Sequence, residues 1–287
     1  MENASLMSYL GGKAKLADEL HGRISLYMKK YDLDTYVEVC GGSGKVLMGI
    51  EGVRRVYSDI GRGLCDLMNV LKCRNKIDNL IYILEQVPYN RANFNRAVKG
   101  WNKVGVDPLL RAVYTYQACQ WSIVGNMKNF YWSKDPFVNE HMVADFYDNL
   151  DNLHGFYWIM KDVEVHRRCL FDTITAYKND PKVFFMIDPP YAVKPREGSK
   201  KLKKHYENHF TVDDHRRMVQ ELLKVKGKVL VCGYETELYD ELLENGWKRH
   251  FLDRITVASS SFGGNLPEIR EANEFIWTNF EPNIFQY

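Results

Sequence analysis

The chain predicts an α/β fold built on a doubly wound sheet, and three stretches carry that prediction. In the first, Thr35-Tyr36-Val37-Glu38-Val39-Cys40 reads as a buried strand running into Gly41-Gly42-Ser43-Gly44. A helix start at Lys45-Val46-Leu47-Met48 and a second strand, Arg55 to Asp59, follow. Strand, glycine loop, helix and a strand ending in an acid form the nucleotide-binding half of such a fold. In the second, the apolar run Val183-Phe184-Phe185-Met186-Ile187 reads as a buried strand that opens into Asp188-Pro189-Pro190-Tyr191. An acid, two prolines and an aromatic make a poor turn, and local rules tend to be broken where function needs it. Ligands of open α/β sheets bind outside the carboxyl ends of the strands, which is where this loop falls. In the third, Ile255 to Ala258 and Glu274 to Asn279 look like an antiparallel pair that closes the sheet.

Bulk properties agree. A chain of 287 residues can bury a substantial core. Mean hydropathy is -0.39, and no apolar run approaches the roughly 18 residues of a membrane span. Met1 to Lys15 has no apolar signal region, so no export is expected. The 6 cysteines form no C-x-x-C pair, which disfavours a zinc ribbon, and they are expected as reduced thiols. The net charge of +2 does not itself point to nucleic acid.

Along the chain, a helix is expected from about Leu16 to Tyr31, after the turn Tyr9-Leu10-Gly11-Gly12-Lys13. From 72 to 162 the pattern turns helical. Ile77, Leu80, Ile81 and Leu84 repeat at helical spacing before Pro88, and Phe94, Val98 and Trp101 mark a second helix. Asp107-Pro108 caps a third, and Met142 to Leu150 belong to a fourth, with a polar and aromatic loop from Ser122 to Asn139 between them. The region reads as a mostly helical insertion, leaving 1–71 and 163–287 as the α/β domain. That domain resumes at a short strand, Val163 to Val165. After the Asp188 loop comes a basic run, Lys194, Arg196, Lys200, Lys201, Lys203 and Lys204, suited to gripping phosphates or simply solvated. Thr211 with Asp214 suggests a capping box, Lys228 to Cys232 a strand ending at Gly233, and Leu238 to Leu243 a helix stopping at Gly246. His205 and His209 lie four apart without an acid to complete a metal site, and none is expected.

The glycine loop is not a phosphate-binding P-loop, which needs Gly at 39 and Ser or Thr at 46; the chain has Val39 and Val46. Nor is it a dinucleotide fingerprint, since Leu47 stands where Gly or Ala is required. What remains, Glu38, Gly42 and Gly44, suits a nucleoside ligand without a diphosphate. Asp59 at the end of the next strand can accept ribose hydroxyls in a bidentate manner.

Tyr9-Leu-Gly-Gly-Lys13, Glu38-x-x-x-Gly42-x-Gly44, Ser58-Asp59 and Asp188-Pro-Pro-Tyr191, in this order, resemble the alpha group of DNA adenine methyltransferases, the D12 class of bacteria and their phages. Ala272-Asn273-Glu274-Phe275-Ile276-Trp277-Thr278-Asn279 is similar to that family's closing segment. The resemblance implies a Rossmann-like mixed sheet of about seven strands, with 72–162 as an inserted target recognition domain. It implies S-adenosyl-L-methionine as cofactor, with Tyr9, Lys13, Glu38, Gly42, Gly44, Asp59 and Asp188 around it and Leu170 or Phe171 flanking its adenine. Double-stranded DNA would be the partner, met by Lys128, Lys194, Arg196, Lys200 and Lys201. No metal or membrane is implied, and the setting would be the cytoplasm of a bacterium or phage-infected host, with or without a restriction endonuclease counterpart. Two departures stand out. Val39-Cys40 replaces the family's Pro-Phe, and Ser122 to Asn129 keeps Gly125 but places Lys128 where the family has Arg. Lysine cannot make the bidentate fork that arginine makes to guanine.

In that family the reaction methylates the exocyclic N6 of adenine, a poor nucleophile. The resemblance casts Asp188 and the Pro189 carbonyl as acceptors for the two N–H bonds, with prolines stiffening the loop and Tyr191 offering a face to an extruded base. Two other readings of the same residues are a relative acting on cytosine N4 or RNA adenine, and a nucleic-acid-binding relative without turnover. Aspartate rather than serine at 188 favours adenine, and the intact Asp188 and Asp59 favour turnover.

Overall fold

The computed structural model describes residues 6–9, 16–191, 210–259 and 268–282. Lys13, Lys194, Arg196, Lys200, Lys201, Lys203, Lys204, His205 and His209 therefore lie outside the described residues. The chain divides into two compact units, 1–169 and 170–287.

The first unit opens with α1 (Ala17–Lys30), whose buried stripe is Ala17, Leu20, Ile24, Tyr27 and Met28. Asp18 and Glu19 sit in its first turn and Lys29 and Lys30 in its last, each matching the sign the helix dipole favours. Three parallel strands follow in spatial order β3-β2-β1: β1 (Thr35–Val39), β2 (Arg54–Asp59) and β3 (Glu164–Arg167). All five residues of β1 are buried, as parallel strands covered on both faces require. The helix expected at Lys45 is only a 3-10 turn, Leu47–Gly49. Ile50 turns extended and Gly52 takes φ +74°, so the chain heads into β2 before a second turn can form. An α-helix, α2 (Arg62–Val70), follows β2 instead and buries Leu64, Leu67 and Met68.

Between β2 and β3 the described chain after α2 is helical: α3 (Arg74–Glu85), α4 (Arg91–Gly100), α5 (Pro108–Gln120), α6 (Pro136–Asp148) and α7 (Phe156–Met160). Asp107 Oδ1 accepts from Leu109 N at 2.9 Å and Leu110 N at 3.1 Å, with Pro108 at the first helical position, as the Asp-Pro pair predicts. The same device starts α6, where Asp135 accepts from Phe137 N at 3.0 Å and Pro136 follows. That cap starts the helix before Asn139, where the polar loop was expected to end. α5 packs against α2 so closely that a Cβ on Gly63 would lie 2.0 Å from Thr115 Oγ1 and 2.3 Å from the Trp101 carbonyl oxygen. The aromatic core of this helical segment gathers on Tyr89, 4.2 Å from Trp121 and 5.6 Å from Phe130 between ring centroids.

The second unit contains α8 (Leu170–Tyr177), β4 (Val183–Ile187), α9 (Val212–Leu222), β5 (Lys228–Tyr234), α10 (Asp240–Glu244), β6 (Lys248–Ser259) and β7 (Glu268–Thr278). Its strands run in the order β4-β5-β7-β6, with β4 and β5 parallel and β7 antiparallel to both its neighbours. The seven strands among the described residues therefore mix parallel and antiparallel pairing within an α/β chain, as the resemblance implies. β4 has the predicted bounds, and all five of its residues are buried. β5 continues through Gly233 to Tyr234 because β7 pairs with it there, Gly233 opposite Phe275 and Tyr234 opposite Glu274. Thr211 and Asp214 form the capping box at α9: Asp214 N donates to Thr211 Oγ1 at 3.1 Å and Thr211 N to Asp214 Oδ2 at 2.8 Å. Among the described residues no disulfide is formed, and no helix is long and apolar enough to cross a membrane.

Candidate active site

In the first unit the glycine loop leaves β1 through left-handed backbone. Cys40 has φ +58°, Gly42 φ +53° and Gly44 φ +67°. A side chain at Gly42 would also meet Tyr9, whose Cε1 would lie 2.8 Å from the added Cβ. The loop is pinned to β2 by Gly41 N donating to the Ser58 carbonyl at 3.0 Å and Tyr57 Oη donating to the Gly42 carbonyl at 2.7 Å. Gly42 N donates to Asp59 Oδ2 at 3.0 Å, and Gly61 N to Asp59 Oδ1 at 2.8 Å. Burial raises the Asp59 carboxyl above the usual carboxylate range, opposed by the backbone N–H groups of Gly61, Gly42 and Ile60. A carboxylate has about four acceptor positions, so three backbone donors leave room for roughly one more. Glu38 is 4% exposed and accepts from Tyr36 Oη at 2.7 Å. Tyr9, Gly42 and Asp59 thus stand together, Gly44 packs near Met68 and Met48, and Glu38 is held inside the strand.

The loop from Ser122 to Phe130 is also tightly folded. Val124, Gly125 and Met127 have φ of +48°, +67° and +53°. Asn126 Oδ1 accepts from Lys128 N at 2.9 Å and Asn129 N at 3.0 Å, and Ser122 bridges to Phe130. Lys128, Ile123 and Val124 are exposed on it, and Tyr131 and Trp132 just beyond it, whereas Trp121 is fully buried. Gly125 lies on the chain before α1: its Cβ would come within 2.4 Å of Ser8 C, Ser8 O and Tyr9 N. Ser8 N in turn donates to Gln120 Oε1 at 3.2 Å.

In the second unit Asp188 follows the last residue of β4 and is half-buried. Asp188, Cys232 and Glu274 each bring one oxygen or sulfur atom to within 4.8 Å of the other two. Tyr191 Oη donates to Glu274 Oε1, and the Tyr191 ring meets the Tyr234 ring edge-on, with centroids 4.5 Å apart at 72°. Burial raises the Tyr191 phenol well above its ordinary value, reinforced by the negative charge of Asp188, so it stays protonated and donates. Behind the loop stands His215 of α9, 1% exposed, its Nδ1 2.9 Å from Tyr239 Oη. Sequence reasoning did not single out His215 or the role of Glu274. A charge in a strand and a histidine in a helix carry no local signal of burial.

The family model described as "D12 class N6 adenine-specific DNA methyltransferase" matches residues 9–257. The chain belongs to this family. As a D12-class enzyme it is an adenine-specific DNA methyltransferase. No curated protein matches it. Among solved structures, the precorrin-6y C5,15-methyltransferase of Geobacter metallireducens GS-15 is similar at 8% identity and a TM-score of 0.31, covering 91% of this chain and 87% of that one.

His215 gives this methyltransferase a predictable acid sensitivity. Burial pushes its ring down to about 4, against the weaker opposing pull of the Pro190 carbonyl and Asp214. The folded state therefore holds the neutral ring, while the unfolded chain takes a proton below about pH 6.5. The unfolded state binds more protons in that window, so stability rises with pH. This one group should remove about 2 kcal/mol as pH falls from 6.5 to 5, flattening near pH 4. Urea unfolding across that range, with His215→Gln as control, measures it. The variant should lose that part of the slope, and an unchanged slope would contradict the assignment.

Proposed function

We propose that the protein transfers a methyl group from S-adenosyl-L-methionine to N6 of an adenine extruded from duplex DNA. The observation that carries this reading is the arrangement at Asp188. A half-buried carboxylate follows a fully buried strand, with a stiff Pro-Pro carbonyl path beside it and a protonated tyrosine at the loop's end. In this reading the Asp188 carboxylate and the Pro189 carbonyl accept the two N–H bonds of the amine. That localises the nitrogen lone pair toward the incoming methyl. The Asp188 carboxylate would balance the positive charge that develops on the amine as the N–C bond forms and the donor's S–C bond breaks to leave a neutral thioether, and one amine proton is then lost to solvent. Tyr191 supplies the face on which the base rests, and positioning supplies most of the acceleration.

The first unit has the residues to hold such a cofactor. Gly42 leaves bare backbone where a Cβ would strike Tyr9, and Asp59 retains an acceptor position for one ribose hydroxyl. A two-hydroxyl grip would require one backbone N–H to give way. When bound, the cofactor supplies an activated methyl on a sulfonium. Residues 72–162 fit the role of target selection, because they carry the exposed Ile123, Val124 and Lys128 on the 122–130 turn, with exposed Tyr131 and Trp132 just beyond it. Stacking side chains and a cation are what an opened base step or a phosphate engages. The basic run at Lys194, Arg196, Lys200 and Lys201 would add phosphate contacts.

The test is transfer of labelled methyl to duplex DNA, with single-stranded DNA and RNA as competing substrates. Duplex DNA should be strongly preferred; preference for RNA would favour the alternative target. Asp59→Ala should weaken cofactor binding by calorimetry on the order of 10–100-fold while duplex binding persists. Unchanged cofactor affinity would remove Asp59 from the ribose role.

A further inference from the structure

Glu274 is 2% exposed in the middle of β7, between β5 and β6 in the sheet. Its neighbours in the strand, Phe275, Ile276 and Trp277, are apolar, and Ile276 and Trp277 are buried. The fold would be served at that position by a valine or isoleucine. Burying a carboxylate there carries a desolvation cost that only specific partners offset. Glu274 has such a partner in Tyr191 Oη, 83 residues away in the chain, and one of its oxygens lies within 4.8 Å of an oxygen of Asp188. Tyr191 is the last residue of the Asp188-Pro-Pro-Tyr191 stretch, and its ring is further confined by Tyr234, the residue paired opposite Glu274.

Building on the reading of Asp188 and Tyr191 as the amine site, we infer that Glu274 is a positioning residue that fixes Tyr191, and through it the loop that holds the target base. The geometry has three parts. Glu274 sits on a strand paired along its length, so its carboxylate cannot move with the loop. The Tyr191 hydroxyl docks on that fixed point. Asp188 is three residues back, on the far side of the two prolines, so anchoring Tyr191 fixes one end of the Asp188–Tyr191 stretch while β4 holds the other. An inner strand, β7, thereby sets the angle at which Asp188 and the Pro189 carbonyl meet the amine. Glu274 touches neither substrate nor cofactor in this account, and its effect passes through one hydroxyl.

The experiment is a double-mutant cycle on duplex methylation: Tyr191→Phe, Glu274→Ala, Glu274→Gln, and each Glu274 change with Tyr191→Phe. All are read as kcat, cofactor KM and the fluorescence of a 2-aminopurine placed at the target adenine. Glu274→Ala should lower kcat on the order of 30–100-fold with cofactor KM within about twofold, since a hydrogen bond to a charge is lost only at the base site. Glu274→Gln keeps an acceptor for the hydroxyl and an isosteric fit, and should recover activity to within about tenfold of the parent. In the Tyr191→Phe background, Glu274→Ala should cost less than about threefold, because the interaction is already absent. The 2-aminopurine signal should fall in Glu274→Ala and return in Glu274→Gln. Equal losses from Glu274→Ala with and without the Tyr191 hydroxyl would overturn the proposal. So would a glutamine variant no better than alanine, if its melting temperature matches the parent. Wild-type protein that methylates no adenine would instead defeat the amine-site reading itself, leaving the two failures distinguishable.

Discussion

Asp188→Ala is expected to lower the methylation rate on the order of 10³-fold at saturating cofactor and DNA, the scale on which a preorganised polar group in a reacting site acts. In the proposed mechanism the substitution removes the acceptor that orients one N–H of the amine and balances its developing positive charge. It should do so without unfolding the protein. Asp188 lies beyond the end of β4, is half-buried, and the loop remains tethered by Tyr191 to Glu274. Cofactor binding should change far less than kcat, since the glycine loop and Asp59 are untouched. Single-turnover kinetics with the variant check this, and a rate within about tenfold of the parent would remove Asp188 from the chemistry.

Gly125→Ala is expected to destabilise the first unit by on the order of 4 kcal/mol. Two effects combine. The residue sits at φ +67°, where an L side chain is strained, and its Cβ would fall 2.4 Å from three backbone atoms of Ser8 and Tyr9. Backbone cannot rotate aside as a side chain can. Gly105→Ala separates the two effects, because Gly105 also has positive φ, +81°, but nothing within 4 Å of the added Cβ. It should cost only about 1 kcal/mol. Urea unfolding of both variants gives the comparison; equal losses would mean that the contact between the 122–130 turn and Ser8-Tyr9 carries no weight. Because Tyr9 also faces Gly42, relief of the Gly125 clash by moving Ser8-Tyr9 would disturb the glycine loop as well.

How much of this was readable in the chain differs by element, for physical reasons. β4 is predicted to the residue because a strand buried on both faces announces itself as an uninterrupted apolar run, and the Thr211–Asp214 cap is legible because both halves of it are local. Lys45 to Met48 carries the composition of a helix start, but the extended Ile50 and the left-handed Gly52 end it after one 3-10 turn. The hydrophobic spacing of Leu64, Leu67 and Met68 was the available sign of the helix that does form there. Asp59 stands out in the sequence as an acid at a strand end. Its engagement with Gly42, Gly61 and Ile60 was not, because those bonds depend on how the loop folds back. Glu274 was visible only as part of a familiar closing segment. Its burial follows from β7 lying inside the sheet and from a tyrosine far away in sequence, neither of which a local pattern encodes.

The proposed chemistry centres on one atom, N6 of adenine. Duplex DNA methylated by the purified protein, digested to nucleosides and resolved by mass spectrometry, reads it directly. N6-methyldeoxyadenosine is the expected methylated product, lost with Asp188→Ala. N4-methyldeoxycytidine, or a methylated adenine formed equally well by the Asp188→Ala variant, would contradict it.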